Sequence, residues 1–583
     1  MALGLLPSWE DKLHQTQVLI VGAGPVGLTL AIDLGQRGIN CTVIEKKDCP
    51  AFLPKMERVN ARTMEIYRRM RLSKSIREAG LPPDVPMDVY VVLSLTRPPL
   101  LRLPYPSVAQ AEAEIRATND GSAPLEPYQL ISQYTLEPLL KRKVESLPTV
   151  TIRWSTEYLS HQQNEESVQT TVRLSNGRTE TIKSSYLAGC DGGTSAVRQV
   201  IGVNLRGESN LLGLRQALYR CDELFEKMPI GNGPGHGRHY HVADDKASFL
   251  IMQDSTKHWT LHATVDSDDE MKTQFEKIVS IPIKYEMLSC NPWRQNLLVA
   301  DHYQHRRVFL AGDAVHLVIP TGGLGMNSGV GDAIDLGWKL AATLRGWGGP
   351  ALLESYEIER RQVGDRNVGA SRYANLGRRK WRSIWRPDIL DDSQAGKLTR
   401  DTLALTASVE QRKSNEMIGA ELGYRYINSP IICDIPGGPE QSFRRYEPTT
   451  WPGARLPHVW LSDGTAIQDK ISNNAFTILK LGRSAVDVTA LADAISGLGA
   501  PVNVLDVPDE VARDVYGHDL ILLRPDLHIV WRGNVPVDAA EIATIATGHH
   551  RSIFGERRGP AATSGQKSLG SDRTSKTRVL TRA

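Results

Sequence analysis

The sequence predicts an α/β fold in three parts: a largely parallel sheet domain assembled from distant pieces, an antiparallel sheet inserted into it, and a smaller α/β unit near the C-terminal end. Three observations predict it. Residues 17–44 read as strand, glycine-rich turn, helix and strand. Residues 240–253 and 258–265 are rich in aromatic and β-branched residues with few helix signals, as expected of antiparallel strands. Residues 475–481, 502–507 and 520–532 read as strands around a helix at 485–498.

Taken in order, the first βαβ unit uses strands at 17–21 and 40–44 and a helix at 28–37. Further strand-like runs at 150–154, 168–174, 186–188 and 308–311 alternate with helical spacing at 136–147 and 328–344, so the first sheet gathers segments far apart in the chain. The expected division is a nucleotide-binding domain over 1–390 with substrate-side insertions near 88–130 and 203–295. A helical linker over 391–445 follows, with the turn-rich Asp434-Ile435-Pro436-Gly437-Gly438-Pro439 inside it, then an α/β domain over 446–555 and a disordered basic tail over 556–583.

Composition excludes several classes. At about 150 residues per domain, 583 residues suffice for three or four units, and 41% hydrophobic with 23% charged residues is an ordinary globular mix. The net charge of +3 is too small for a phosphate-tracking surface, and the last 28 residues alone carry about +5, leaving the remainder nearly neutral. No nucleic-acid partner is expected. Six scattered cysteines form no CxxC pair and no Cys/His ligand spacing, which argues against a metal site or a disulfide framework. No run approaches the ~20 apolar residues of a membrane span, and no secretory signal is recognised, so a soluble, cytoplasmic protein is expected.

Gly22, Gly24 and Gly27 form G-x-G-x-x-G between a strand and a helix. There the chain must turn tightly, admit a pyrophosphate to its backbone and point a positive helix end at it, the Rossmann-like arrangement. Glu45, closing the second strand with Lys46 beside it, is placed for a ribose; the alternative is a plain turn with Glu45 solvated. Farther on, residues 306–316 read as a strand ending in Gly312-Asp313, a geometry that presents a carboxylate to a polyol. Pro320 through Asn327, containing Gly322, Gly323 and Gly325, opens the next helix. Free N–H groups at that helix start favour negative charge, such as that of a reduced flavin.

With these residues the chain resembles the single-component flavin-dependent aromatic hydroxylases, the family of para-hydroxybenzoate hydroxylase and phenol hydroxylase. The likeness rests on Gly22–Gly27, Gln133 with Leu136-Glu137, Cys190 through Arg198, and Gly312 through Leu340. The resemblance implies tightly bound FAD, transient NADPH or NADH, and O2. It implies hydroxylation of a phenolic substrate through a flavin C4a-hydroperoxide. By the same resemblance Glu45 holds the adenosine ribose, Gln133 and Asp313 the ribityl and pyrophosphate region, and Asp191 to Arg198 serve both FAD and the nicotinamide donor. Gly323, Gly325, Met326 and Asn327 offer backbone groups to the isoalloxazine, and the Pro320 carbonyl walls the substrate site. Where many relatives carry Pro-Arg-Ala, this chain has Pro54-Lys55-Met56, so Arg58 is the choice for the FAD phosphates, with Lys55 as alternative and a solvated role open for both.

A phenol reacts better as phenolate, so a base network is expected near its hydroxyl. The candidates lie on the inserted sheet: Arg215, Arg238, His239, Tyr240 and His241, each also compatible with a packing role. His316 is a candidate by position, or else packs its loop. Residues 522–532 resemble the last strands of the thioredoxin-like domain of phenol and polyketide hydroxylases; without CxxC that unit cannot exchange dithiols and is expected to be structural or to form an interface. Family analogy suggests a homodimer. The competing reading is a non-catalytic FAD-binding redox sensor or partner-recruiting protein. A flavin halogenase ranks below both, because Trp381 to Trp385 does not supply that family's tryptophan motif.

Overall fold

Val18, Leu19, Ile20 and Val21 form an unbroken apolar run, the signature of a strand covered on both faces. The computed structural model describes residues 14–230, 239–483 and 485–550. In it the strand His14–Val21 lies at the heart of an eight-stranded sheet. Five strands run parallel in the order Val308–Leu310, Thr179–Gly189, His14–Val21, Cys41–Ile44 and Val150–Arg153. Antiparallel strands Thr156–Gln163 and Val168–Leu174 extend it from the long strand Thr179–Gly189. The helix Pro25–Gln36 packs against Gln133–Glu145 and Gly325–Leu344. Gly337 permits the second contact, because a Cβ there would meet the Asp33 carboxylate at 2.3 Å.

The inserted sheet has seven strands, in the order Glu286–Arg294, Gly213–Arg220, His258–Ala263, Phe249–Met252, His239–Val242, Val89–Val92 and Leu101–Leu103. It is antiparallel except where His239–Val242 runs parallel to Val89–Val92. Tyr240, Leu250, Met252, Trp259 and Leu261 turn into its own apolar core, which the helix Asp268–Val279 covers. Alternate residues therefore face the parallel-sheet domain.

Between the two larger parts and the last run the helices Pro350–Arg382, Gln394–Glu410, Arg412–Asn415 and Ile418–Leu422. The C-terminal unit is a four-stranded sheet ordered Val502–Val507, Phe476–Leu481, Leu520–Leu523 and Ile529–Gly533, one pair parallel and two antiparallel. With helices Thr489–Gly497, Glu510–Tyr516 and Ala539–Ala546 this is a thioredoxin-like arrangement. Arg238, the glycine-rich loop at 231–237 and the basic tail at 556–583 lie outside the described residues. Among the described residues no helix is long and apolar enough to cross a membrane.

Buried charge joins the C-terminal unit to the rest. Arg524 reaches Asp335 at 2.8 Å, Glu359 at 2.6 Å and Asp526 at 2.5 Å, and Lys339 contacts the same Asp335 and Glu359 at 2.7 and 2.6 Å, all fully buried. Three carboxylates share two cations: desolvation, with the neighbouring Glu359 charge, holds Asp335 above the usual carboxylate range, whereas Arg524 and Lys339 hold Glu359 below it despite its burial. A second buried pair joins Arg455 to Glu65.

Two outcomes follow from this burial. Arg524→Met should cost about 3–5 kcal/mol by stranding carboxylates in the interior, read as a fall in the denaturation midpoint; a loss below about 1 kcal/mol would contradict the account. His458 is 2% exposed and burial lowers its pKa from 6.5 to about 4. The unfolded chain binds the proton that the folded chain refuses, so this contribution is complete above pH 6.5 and is lost as pH falls toward 4, up to about 3 kcal/mol. His458→Phe should flatten the dependence of Tm on pH in that window, and parallel profiles for parent and variant would refute it.

Candidate active site

A cavity of about 1240 Å³ runs from the carboxyl ends of the parallel strands to the inner face of the seven-stranded sheet. Its first wall is the turn after the strand His14–Val21. Gly22 adopts φ +106°, and a Cβ there would meet the Cys190 carbonyl oxygen at 2.4 Å; one on Gly27 would meet the Gly22 oxygen at 2.0 Å. Gly24 differs: its Cβ would meet nothing within 4 Å, because that position opens on the cavity. The helix Pro25–Gln36 that starts there has no side-chain cap, so its positive end is available to an anion. Glu45 also lines the wall, accepting from the Ala23 N–H at 3.0 Å and the Lys47 N–H at 3.1 Å, with exposed Lys46 alongside.

The neighbouring wall is the segment after the strand Thr179–Gly189. Asp191 Oδ2 accepts from the N–H groups of Ala196 and Val197, while its buried Oδ1 has no hydrogen-bond partner among the described residues. Arg198 ties this segment to the next strand end by donating to the Gly193 and Ala314 carbonyls. Gln133 begins the helix Gln133–Glu145 and donates to Glu137 at 2.6 Å, whose carboxyl burial pushes upward. Asp313 faces the cavity from a short 3-10 turn. Surrounding protein raises its pKa, with His316 and Lys55 pulling the other way.

Beneath these walls runs the turn Pro320–Asn327. The Pro320 carbonyl accepts from the Gly323 N–H at 2.9 Å, and Gly322 and Gly323 take φ of +98° and +66°. Asn327 locks the turn in place: its Oδ1 accepts from the Asn60 N–H at 3.0 Å, and its Nδ2 donates to the Gly323 and Arg58 carbonyls at 2.7 and 3.2 Å. Gly325 and Met326 continue the cavity wall. The Arg58 guanidinium is engaged by Glu421 at 2.6 Å, so a partner from the linker helices holds the cation chosen for the phosphates. His316 is buried and hydrogen-bonds Asp332 at 2.8 Å; Asp332 also receives Arg360 and the Gly312 N–H. His316 thus braces the Gly312–Ala314 turn from behind.

On the inserted sheet the expected base network is corrected. Tyr240 is fully buried in the sheet's own core, its ring stacked on Tyr90 with centroids 5.7 Å apart. His241 is fully buried, stacked on Phe249 and hydrogen-bonded to Gln411. Arg215 pairs with Asp268 at 2.5 Å. None of the three lines the cavity. For Tyr240 and Arg215 the reason is strand parity, since the inward positions are their neighbours His239 and Gln216; His241 shares the face of His239 but sits behind Phe249.

The cavity instead receives His239, Gln216, Phe249, His262 and Trp293. His239 Nε2 lies 3.1 Å from Glu57 Oε1. His262 Nε2 and Gln216 Nε2 are 3.3 Å apart, and burial lowers the His262 pKa to about 4, leaving it neutral. Parity alone selects Gln216 and His262 once the apolar face of the strands is assigned. Glu421 carried no signal in the sequence, since nothing local marks it as a partner of a residue over 300 positions earlier.

The uncapped helix start, the open Cβ position at Gly24 and the unpartnered Asp191 oxygen fit a dinucleotide, and the glycine turn under the cavity fits a flat ring. The comparisons agree. Residues 15–371 match the FAD binding domain family and residues 449–556 the C-terminal domain of aromatic-ring hydroxylases. The chain belongs to the FAD-dependent aromatic-ring hydroxylases. This hydroxylase is 31% identical to the FAD-dependent monooxygenase apdD of Emericella nidulans, over 90% of the chain and 88% of that protein. It is 30% identical to phenol 2-monooxygenase of Pseudomonas, over 92% of each. Its fold superposes on RebC soaked with chromopyrrolic acid and holding 7-carboxy-K252c, with TM-score 0.83 and 30% identity over 92% of this chain and 99% of that one. The hydroxylase is thus an FAD-dependent monooxygenase.

The glycines give a test that separates folding from cofactor binding. Gly24→Ala should leave the apoprotein Tm within about 3 °C while weakening FAD about tenfold or more, because the added methyl enters the pyrophosphate's space. Gly22→Ala, pressed on the Cys190 carbonyl, should cost about 1–3 kcal/mol of fold stability. Thermal melts with and without FAD, and titration by flavin fluorescence, read both; equal FAD affinities for Gly24→Ala and parent would sink the assignment.

Proposed function

We propose that this hydroxylase inserts one oxygen atom into a phenolic ring held between the Pro320–Asn327 turn and the inner face of the seven-stranded sheet, drawing electrons from NADPH or NADH. The observation that carries the reading is continuity: the glycine cradle and the sheet-lined chamber are one cavity. The relatives' names, phenol 2-monooxygenase and 2,4-dichlorophenol 6-monooxygenase among them, support a phenol. Bound FAD supplies the activation of dioxygen; the chain supplies position, charge and a dry wall.

In this reading Glu45, Gln133, Asp191, Asp313 and the Gly323–Asn327 backbone hold FAD, with Arg58 acting through the pair it makes with Glu421. The His239–Glu57 pair takes the place first given to Tyr240, His241 and Arg215: Glu57 orients His239 to hold the phenolic proton as the ring becomes electron-rich. Neutral His262 and Gln216 offer hydrogen bonds that do not change charge near pH 7. In the same reading the enzyme is cytoplasmic and its C-terminal unit is structural, with domain limits near residues 390 and 445; family analogy suggests a homodimer.

Purified yellow enzyme should oxidise NADPH or NADH faster with phenols than without, and the product should gain the mass of one oxygen. His239→Asn should lower kcat/KM by about 100-fold and divert electrons to hydrogen peroxide, while Tyr240→Phe leaves coupling unchanged. Equal effects of the two substitutions would remove the base assignment, and no phenol-stimulated oxidation across the panel would remove the function.

A further inference from the structure

The chamber wall beside Phe249 carries a cation that no ion pair with a described residue neutralises. Arg378, near the end of the helix Pro350–Arg382, lines the cavity beside Asn375 and Arg382. Its guanidinium carbon stands 5.1 Å from the centre of the Phe249 ring. No hydrogen bond or ion pair joins it to any described residue, and its buried Nε has no partner. The neighbouring charges are already used. Arg382 donates to the Val242 and Ser248 carbonyls and lies 3.8 Å from Asp244. Asp244 itself accepts from the Ser248 N–H and from Gln274. Glu57 faces His239, and Asp245 is exposed at the rim.

Desolvation, reinforced by Arg382 and opposed by the Glu57 carboxylate, lowers the Arg378 pKa to about 9. The same charge helps keep His262 and His241 unprotonated. A half-buried guanidinium stacked on a single ring and without a paired anion carries a desolvation cost until something completes it. The Phe249 ring offsets part of that cost, and a ligand that brings the missing anion gains a charge-assisted pair in a partly desolvated site.

We propose that the aromatic substrate carries a carboxylate, and that Arg378 receives it. A carboxylate suits the site better than a second phenol oxygen, because the planar guanidinium fork offers parallel N–H donors that two coplanar oxygens can accept together. Phenolic chemistry proceeds at the turn below while the acid end is clamped on the sheet side, which fixes which ring carbon faces the cofactor. Arg378 is thus a residue of specificity and orientation. The inference rests on the hydroxylase reading above and adds the class of substrate to it.

The test uses the FAD-loaded enzyme with hydroxynaphthoic acids, the matching hydroxynaphthamides and the parent naphthols as probes. Binding is followed by the change in flavin absorbance, and turnover by NADPH or NADH oxidation with product mass. The expected result is acid binding about tenfold or more tighter than amide binding in the parent, with that preference erased in Arg378→Gln and partly kept in Arg378→Lys. Amide affinity and FAD affinity should be the same in all three proteins, which shows that the variants are folded and loaded. Equal binding of acid and amide by the parent overturns the inference, as does failure of every acid to bind, or an acid preference that survives in Arg378→Gln. The hydroxylase reading fails separately, by absence of probe-stimulated nicotinamide oxidation with acids, amides and naphthols alike.

Discussion

Two carboxylates one helical turn apart, Asp332 and Asp335, are the constraint on which the rest of the structure depends. Both are buried in the helix Gly325–Leu344, whose first residues form the floor of the cavity. Asp332 gathers the Gly312 N–H, His316 and Arg360; Asp335 gathers Lys339 and Arg524. Neither carboxylate is tolerable in the interior without these partners. The helix is therefore fixed relative to the Gly312–Ala314 turn, the long helix Pro350–Arg382 and the C-terminal sheet at once. Its amino end, with Asn327 bonded to both Arg58 and Gly323, is held as the consequence.

The cofactor end was largely legible in the sequence because its determinants are local. A glycine that must avoid a carbonyl, a strand ending in an unbroken apolar run and a helix start without a side-chain cap leave their marks within a few residues of one another, as Val18 to Gly27 do. The C-terminal unit was legible for the same reason, since the alternation of strand and helix from Phe476 to Gly533 is sequential.

The substrate end was not. Tyr240 and His241 have the right chemistry in the right strand, yet the pleat turns Tyr240 into the core and Phe249 screens His241, leaving His239 at the wall. A lone strand states its period but not which face is inward, and the neighbours that decide it, Leu250, Trp259 and Leu261, become decisive only when the strands are paired. Arg378 was hidden differently: it sits on a helix whose sequence reads as a charged solvent face, and only the folding of that helix across the inserted sheet encloses it. Pairings across great sequence distance, Arg58 with Glu421 and Arg455 with Glu65, leave no local trace at all.

The Arg524 cluster has a bearing on synthesis. The central sheet cannot close until the strand Val308–Leu310 has left the ribosome, Arg58 has no carboxylate until Glu421 follows, and the floor helix lacks its last cation until Arg524 emerges. A nascent chain therefore holds a half-built cradle through most of its translation, with long-range contacts that mature late. The contacts that brace the cradle are thus spread along the whole chain, and the last of them come from the C-terminal unit.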